Sequence, residues 1–148
     1  MKKDFGKFWI PVMKNNFLEE AQKIAYRSTH RKHMTGCVIV NEDKIISNGW
    51  SHRGIWNRDK LYSTHAEIHA LVRAQYKPSA TMIYIVTVAR KSGKTTNATP
   101  CFSCATALIA AGIDYAIYST GEFTLLNGEI LYLPDALREL KVYSKIDE

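Results

Sequence analysis

The chain has 148 residues, of which 46% are hydrophobic and 23% charged, and a net charge of +6. That length and balance suit one soluble globular domain with a real core, so residues 1–148 are expected to form a single domain with 1–14 as an N-terminal extension. No apolar run approaches the roughly 18–20 residues a membrane-spanning helix needs, and Asp4 and Lys7 break the apolar start against a signal peptide.

Phe17, Leu18, Ala21, Ile24 and Ala25 recur at helical spacing, which predicts an amphipathic helix over 15–28. GCVIV and KIISNGW, joined by an Asn/Asp-rich turn, predict a β-hairpin. Residues 52–63 are polar and contain Gly54, and they read as a long loop. A helix then opens at Thr64–Glu67, buries Ile68, Leu71 and Val72, and stops before Pro78. MIYIVTVA (82–89) is a β-branched run with the character of a buried strand.

Thr99-Pro100 reads as an N-cap followed by proline at the first helical position. Phe102, Ala105, Leu108 and Ile109 give that helix its apolar face, and Gly112 fits its end. Tyr115–Ser119 reads as a strand, Asn127-Gly128 as a hairpin turn, and 134–142 as a C-terminal helix, with 134–148 the C-terminal helix and tail. A strand, a helix and a further strand in succession imply parallel pairing. The fold expected is α/β: a three-layer α/β/α sandwich around a mixed, mostly parallel sheet of about five strands.

The lack of a signal-peptide pattern leads to the expectation of a cytoplasmic, reducing setting, and an odd count of three cysteines argues against a disulfide framework. Cys37 lies in an apolar run and reads as core. Cys101 and Cys104 form a Cys-x-x-Cys pair at a helix start, on one face, where the helix dipole favours thiolate. His65 opens the other helix. One histidine and two cysteines make three ligands for a tetrahedral Zn²⁺, and the fourth position stays free for water, as in catalytic sites. From the first turn of its helix Glu67 can reach such a water and move its proton.

His65-Ala66-Glu67 followed by Pro100-Cys101-Phe102-Ser103-Cys104 resembles the paired signature of the zinc-dependent cytidine and deoxycytidylate deaminases. Their superfamily includes tRNA adenosine deaminases. The resemblance covers roughly residues 15–120. It implies one Zn²⁺ per chain on His65, Cys101 and Cys104. It implies that Glu67 passes the attacking water's proton to the ring nitrogen and then to the departing amine. The Ala66 N–H would hold the cytosine carbonyl, and the Thr99 carbonyl would accept the exocyclic amine. Ser51 stands where the family usually has a sugar-binding Asn, in Gly49-Trp50-Ser51. The ARKSGKTTNAT turn is longer than in tRNA adenosine deaminases.

Plainer roles compete for several residues. Thr64–Glu67 is itself a capping box. His69, four residues after His65, lacks the metalloprotease spacing of Glu to His and reads as a packing residue. The cysteine pair alone would also suit a thioredoxin-like redox site. Trp50 and Trp56 could stack on a base but are more readily core or rim, and His33 and His52 read as surface residues. Arg53, Arg58 and Arg90 are candidates for a phosphate contact.

The positive charge and loop arginines favour a phosphorylated substrate, so deamination of dCMP to dUMP with ammonia release is the leading expectation. The expected partner is a small pyrimidine nucleotide or nucleoside, with nucleic acid less favoured, no membrane, and a homo-oligomer implied by resemblance. The alternatives are adenosine-to-inosine deamination on tRNA or other RNA, or a catalytically silent zinc module. Glu67 speaks against the last, because a structural site needs no proton carrier and favours four protein ligands.

Overall fold

The computed structural model describes residues 16–57, 60–78, 81–121 and 128–137. Helix α1 (Phe17–Ala25) buries Phe17, Leu18, Ala21, Ile24 and Ala25, with Glu19 and Glu20 in the first turn, where the helix dipole favours acids. Strands β1 (His33–Asn41) and β2 (Lys44–Trp50) pair antiparallel. Glu42 and Asp43 join them at φ 50° and 64°, the two left-handed residues of a tight hairpin turn.

β3 (His52–Asn57) and β4 (Lys60–Thr64) form a separate two-stranded sheet. α2 (Ala66–Arg73) follows, then β5 (Thr81–Ala89), the short β6 (Thr95–Thr96), α3 (Phe102–Ala110), β7 (Ile113–Ser119) and β8 (Gly128–Tyr132). Residues 133–137 are helical.

The main sheet runs β2-β1-β5-β7-β8, with β6 alongside β5. Its alternating side chains feed two cores. Cys37, Ile39, Ile83 and Ile85 pack with Ala66, Ala70, Leu71, Ala105 and Leu108 of α2 and α3. Met34, Val38, Val40, Tyr84, Val86 and Val88 pack with α1 on the other face. Three layers result, because a sheet with both faces apolar must be covered on both.

Two glycines set the closeness of this packing. A Cβ on Gly36 of β1 would collide with Ala21 O and Ala25 N of α1. One on Gly49 of β2 would collide with Ala66 O and Ala70 N of α2. The first turn of α2 therefore lies directly on β2.

The mixed, helix-flanked sheet agrees with the expectation, although its pairing is more antiparallel than foreseen. Among the described residues β5–β7 is the parallel pair, formed across α3, and the other pairings are antiparallel. Both β1 and β8 enter by antiparallel routes that a strand-helix-strand reading does not foresee.

Residues 52–63 are not a loop. β3 and β4 form a hairpin whose paired backbone outweighs its polar composition. Residues 58–59 lie outside the described residues, as do Asn127 and the part of the expected C-terminal helix and tail that falls beyond residue 137. α2 ends at Arg73, ahead of Pro78: Gln75 and Tyr76 turn left-handed, and Tyr76 N–H returns to Leu71 O at 2.8 Å. Gly112, at φ 89°, follows α3 as expected.

Candidate metal centre and its cavity

Each of the two site helices begins one residue after a ligand candidate. His65 is the N-cap of α2 (φ −73°, ψ 149°) and Cys101 the N-cap of α3 (φ −73°, ψ 171°), and neither makes a side-chain cap hydrogen bond. Thr64 and Thr99 are thus not the caps that their residue types suggested. Extended backbone at the N-cap swings each side chain off the helix end instead of along its flank. Cys104 follows one turn into α3, facing the same way as Cys101.

The three candidate ligand atoms lie within 4.8 Å of one another. His65 Nδ1 stands 3.2 Å from Cys104 Sγ and 3.6 Å from Cys101 Sγ. Zinc held tetrahedrally by sulfur at about 2.3 Å and nitrogen at about 2.0–2.1 Å has ligand separations of roughly 3.5–3.8 Å. The donor set and its spacing therefore fit Zn²⁺. The Cys104 thiol hydrogen-bonded to it, with help from His65 and Ser103, holds Cys101 down to about 3, so one thiolate is ready at neutral pH. Cys104 is pushed up for the reciprocal reason, its partnership with Cys101, together with burial.

Glu67 is buried, with 5% of its surface exposed. Burial pushes its carboxyl above the ordinary range, while nearby His65 pulls the other way. As the second residue of α2, Glu67 projects from the same turn that follows His65. Ala66, the first residue, is fully buried; helix geometry gives its N–H no intrahelical acceptor, and its carbonyl accepts the Cys37 thiol at 3.3 Å.

His65, Ala66, Glu67, Thr99, Cys101 and Ser51 line one cavity of about 620 Å³. Cys104 is not among the lining residues and is buried. Two hydrogen bonds shape the Thr99 edge: Thr99 N–H to Asn97 Oδ1 at 2.8 Å, and Ala98 N–H to Ser119 O at 3.0 Å. Ser51 is tied into the wall. Its Oγ accepts the Thr35 N–H at 3.0 Å and shares a 2.8 Å hydrogen bond with Ser28 Oγ.

His69 is not part of the ligand cluster. Its Nδ1 accepts the Trp50 N–H at 3.2 Å, and its ring meets Trp50 edge-on at 4.4 Å and His52 at 4.8 Å. Trp50 is flanked by Arg27 and Arg73, each 5.2 Å from its ring centre, so this indole packs in a surface cluster away from the cavity. The side chain of Trp56 and all of Arg58 lie outside the described residues. Arg90 is occupied: its Nη2 donates to Ser28 O at 2.7 Å and its Nε to His30 O at 3.0 Å.

His33, expected as a plain surface residue, is exposed but lines the cavity. Sequence reasoning did not single out His30, Thr35, Thr87 or Asn97, which also line it. The available signal was the polar run Ser28–His33, with two histidines, between an apolar helix and an apolar strand.

A histidine and two cysteines around one point, a buried carboxylate beside them and a cavity in front define a zinc-dependent hydrolase site. Residues 12–120 match the family described as the cytidine and deoxycytidylate deaminase zinc-binding region. The chain belongs to that family, and its members' reaction makes it a hydrolase acting on C–N bonds.

Solved structures share the fold. The dCMP deaminase of cyanophage S-TIM5, known in apo form and in complex with dCMP and dUMP, aligns at TM-score 0.59 and 18% identity, over 88% of this chain and 93% of that one. A cytidine deaminase from Burkholderia pseudomallei aligns at TM-score 0.59 and 16% identity, over 80% and 91%. The diaminohydroxyphosphoribosylaminopyrimidine deaminase/5-amino-6-(5-phosphoribosylamino)uracil reductase of Thermotoga maritima aligns at TM-score 0.52 and 17% identity, over 86% of this chain and 34% of that one. No curated protein sequence matches the chain.

Proposed function

We propose that the protein hydrolyses the exocyclic amine of a cytosine nucleotide, with dCMP converted to dUMP and ammonia. The observation that carries this reading is the buried Glu67 on the wall of one cavity with His65 and Cys101, which cluster with the buried Cys104.

His65, Cys101 and Cys104 hold the zinc. When bound, the ion acts as a Lewis acid that lowers the pKa of a water toward neutrality. Glu67 takes a proton from the attacking water and delivers it to the ring nitrogen as oxygen adds to the amine-bearing carbon. Glu67 then carries the proton of the added hydroxyl to the amine; the C–N bond breaks, ammonia leaves, and the ring is left as a uracil. Its burial suits both halves of this task, because a carboxyl with raised proton affinity is a stronger base toward the water and can still hand the proton on. The Ala66 N–H at the start of α2 holds the ring carbonyl oxygen, and the Thr99 carbonyl receives the amine.

Support for a nucleotide over a nucleoside comes from the +6 charge and from His30 and His33 on the cavity wall. The fold is shared with a dCMP deaminase known in complex with dCMP and dUMP. The tied-up hydroxyl of Ser51 gives the sugar a shorter, less versatile contact than an Asn would. Two cores on either side of one sheet, built from residues between Phe17 and Leu137, support reading the described residues as a single domain. Three free cysteines fit the reducing cytoplasm. Ile45 and Ile46, 42% and 45% exposed on edge strand β2, support self-association into a homo-oligomer.

The test is ammonia release by zinc-loaded protein on dCMP, CMP, deoxycytidine and cytidine. Turnover led by dCMP is expected; no turnover on any of the four overturns the reading.

A further inference from the structure

We propose that His30, fixed at the cavity wall by the 28–33 segment with Arg53 beside it, is the specificity-determining contact for the substrate's phosphate. This rests on the cytosine-nucleotide reading above.

His30 is held at every polar atom but one. Its N–H donates to Ser28 Oγ at 3.1 Å, and its carbonyl accepts Arg90 Nε at 3.0 Å. Its Nδ1 accepts the N–H groups of Lys32 and His33, both at 3.3 Å. A ring nitrogen that accepts carries no proton, so the neutral ring has its proton on Nε2. Burial, with Arg53, His33, Arg90 and His65 nearby, lowers the proton affinity of His30 and keeps the ring in that neutral form. Nε2–H is thus the ring's remaining polar group, a donor on a residue that lines the cavity holding Glu67 and His65.

The surroundings select what this donor meets. Among the described lining residues Glu67 is the one carboxylate, and it belongs to the chemistry. His33 lines the same wall, and Arg53 is close enough to act on His30 electrostatically. Arg53 is also anchored there, since its N–H donates to Thr29 Oγ1 at 2.9 Å. A pre-fixed donor beside a guanidinium suits an acceptor-rich anion, and a nucleotide offers one in its phosphate. Arg90 takes no direct part. It spends its guanidinium on Ser28 O and His30 O and so positions the segment.

Two substitutions separate the donor from the segment it sits on. His30→Asn keeps an acceptor where Nδ1 lies and removes the distal donor; His30→Gln keeps a distal N–H. Steady-state kinetics on dCMP and deoxycytidine are compared for the zinc-loaded wild type and both variants. His30→Asn is expected to raise KM for dCMP by roughly 10-fold more than KM for deoxycytidine, the scale of a lost hydrogen bond to a charged group. His30→Gln is expected to recover part of that difference. If His30→Asn affects both substrates equally, or leaves the wild-type preference for dCMP intact, the assignment of His30 is overturned. A wild type that turns over deoxycytidine as efficiently as dCMP overturns instead the nucleotide reading on which it rests.

Discussion

Gly49 of β2 and Ala66 of α2 touch so closely that a Cβ on the glycine would occupy the space of the Ala66 carbonyl oxygen. That carbonyl is also the acceptor of the Cys37 thiol, and Cys37 is the register partner of Gly49 on β1. Glycine and cysteine thus form a seat of two small residues under the turn that carries His65, Ala66 and Glu67. Gly49→Ala is expected to cost about 1–3 kcal/mol by overpacking and to lower turnover along with stability. Gly93→Ala is the control. Gly93 has φ 73° and nothing within 4 Å, so its cost is local backbone strain of about 1 kcal/mol with the metal centre intact. Thermal unfolding and zinc content of the two variants check the contrast.

Glu67→Gln removes the proposed proton carrier with almost no change of shape. Turnover is expected to fall by at least about 10²–10⁴-fold, the usual worth of general acid–base catalysis. Zinc content and melting temperature are expected to hold or rise, because a buried carboxylate costs desolvation that an amide avoids. Ammonia release and metal analysis on the same sample decide it. A variant that turns over like wild type removes Glu67 from the mechanism.

Zinc removal is expected to weaken the fold as well as the activity, since the ligands bridge α2 and α3. At free zinc about 1,000-fold above Kd the stabilisation is about 4 kcal/mol. A chelator should therefore lower the melting temperature, and added zinc should restore it. Cys104→Ser, which weakens the buried ligand, should melt near the chelated wild type and respond little to zinc.

Tyr84 supplies a pH dependence remote from the metal. Its ring is buried against Phe17, centroids 5.2 Å apart, and burial together with Asp43 pushes its hydroxyl up. Its folded pKa is raised above the unfolded value of about 10, so the folded state keeps its proton longer. Full stability holds below about pH 10 and is lost at up to about 1.4 kcal/mol per pH unit above it. Tyr84→Phe should flatten that alkaline decline. Urea unfolding at pH 9 and pH 11 measures the difference, and identical slopes for the two proteins would exclude Tyr84 as its source.

Much of this was legible in the chain because period and spacing are local. The apolar faces of α1 and α3, the run of β5 and the His-Ala-Glu and Cys-x-x-Cys stretches are each readable within one element. What escaped depends on partners distant in sequence. The β3–β4 hairpin exists through cross-strand backbone bonds such as His52↔Thr64, which composition does not encode. The helix starts shifted by one residue or more because His65 and Cys101 occupy the N-cap positions without hydroxyl caps. His30 became visible as a wall residue only when the sheet brought residues 28–33 against β3 and the Arg90 turn. Arg90, a plausible phosphate ligand by residue type, proved to be spent on backbone carbonyls.

The two bare N-caps also bear on the order of assembly. His65 and Cys101 stand 36 residues apart, on helices whose mutual placement depends on the sheet β2-β1-β5-β7 beneath them. Three-point capture of the ion must wait until those strands have paired, since the cysteines alone offer only two ligands. The metal then acts late, as a latch on a finished sheet. Its presence should slow escape from the folded state far more than it hastens arrival, leaving the refolding limb of a chevron nearly insensitive to zinc and the unfolding limb strongly retarded.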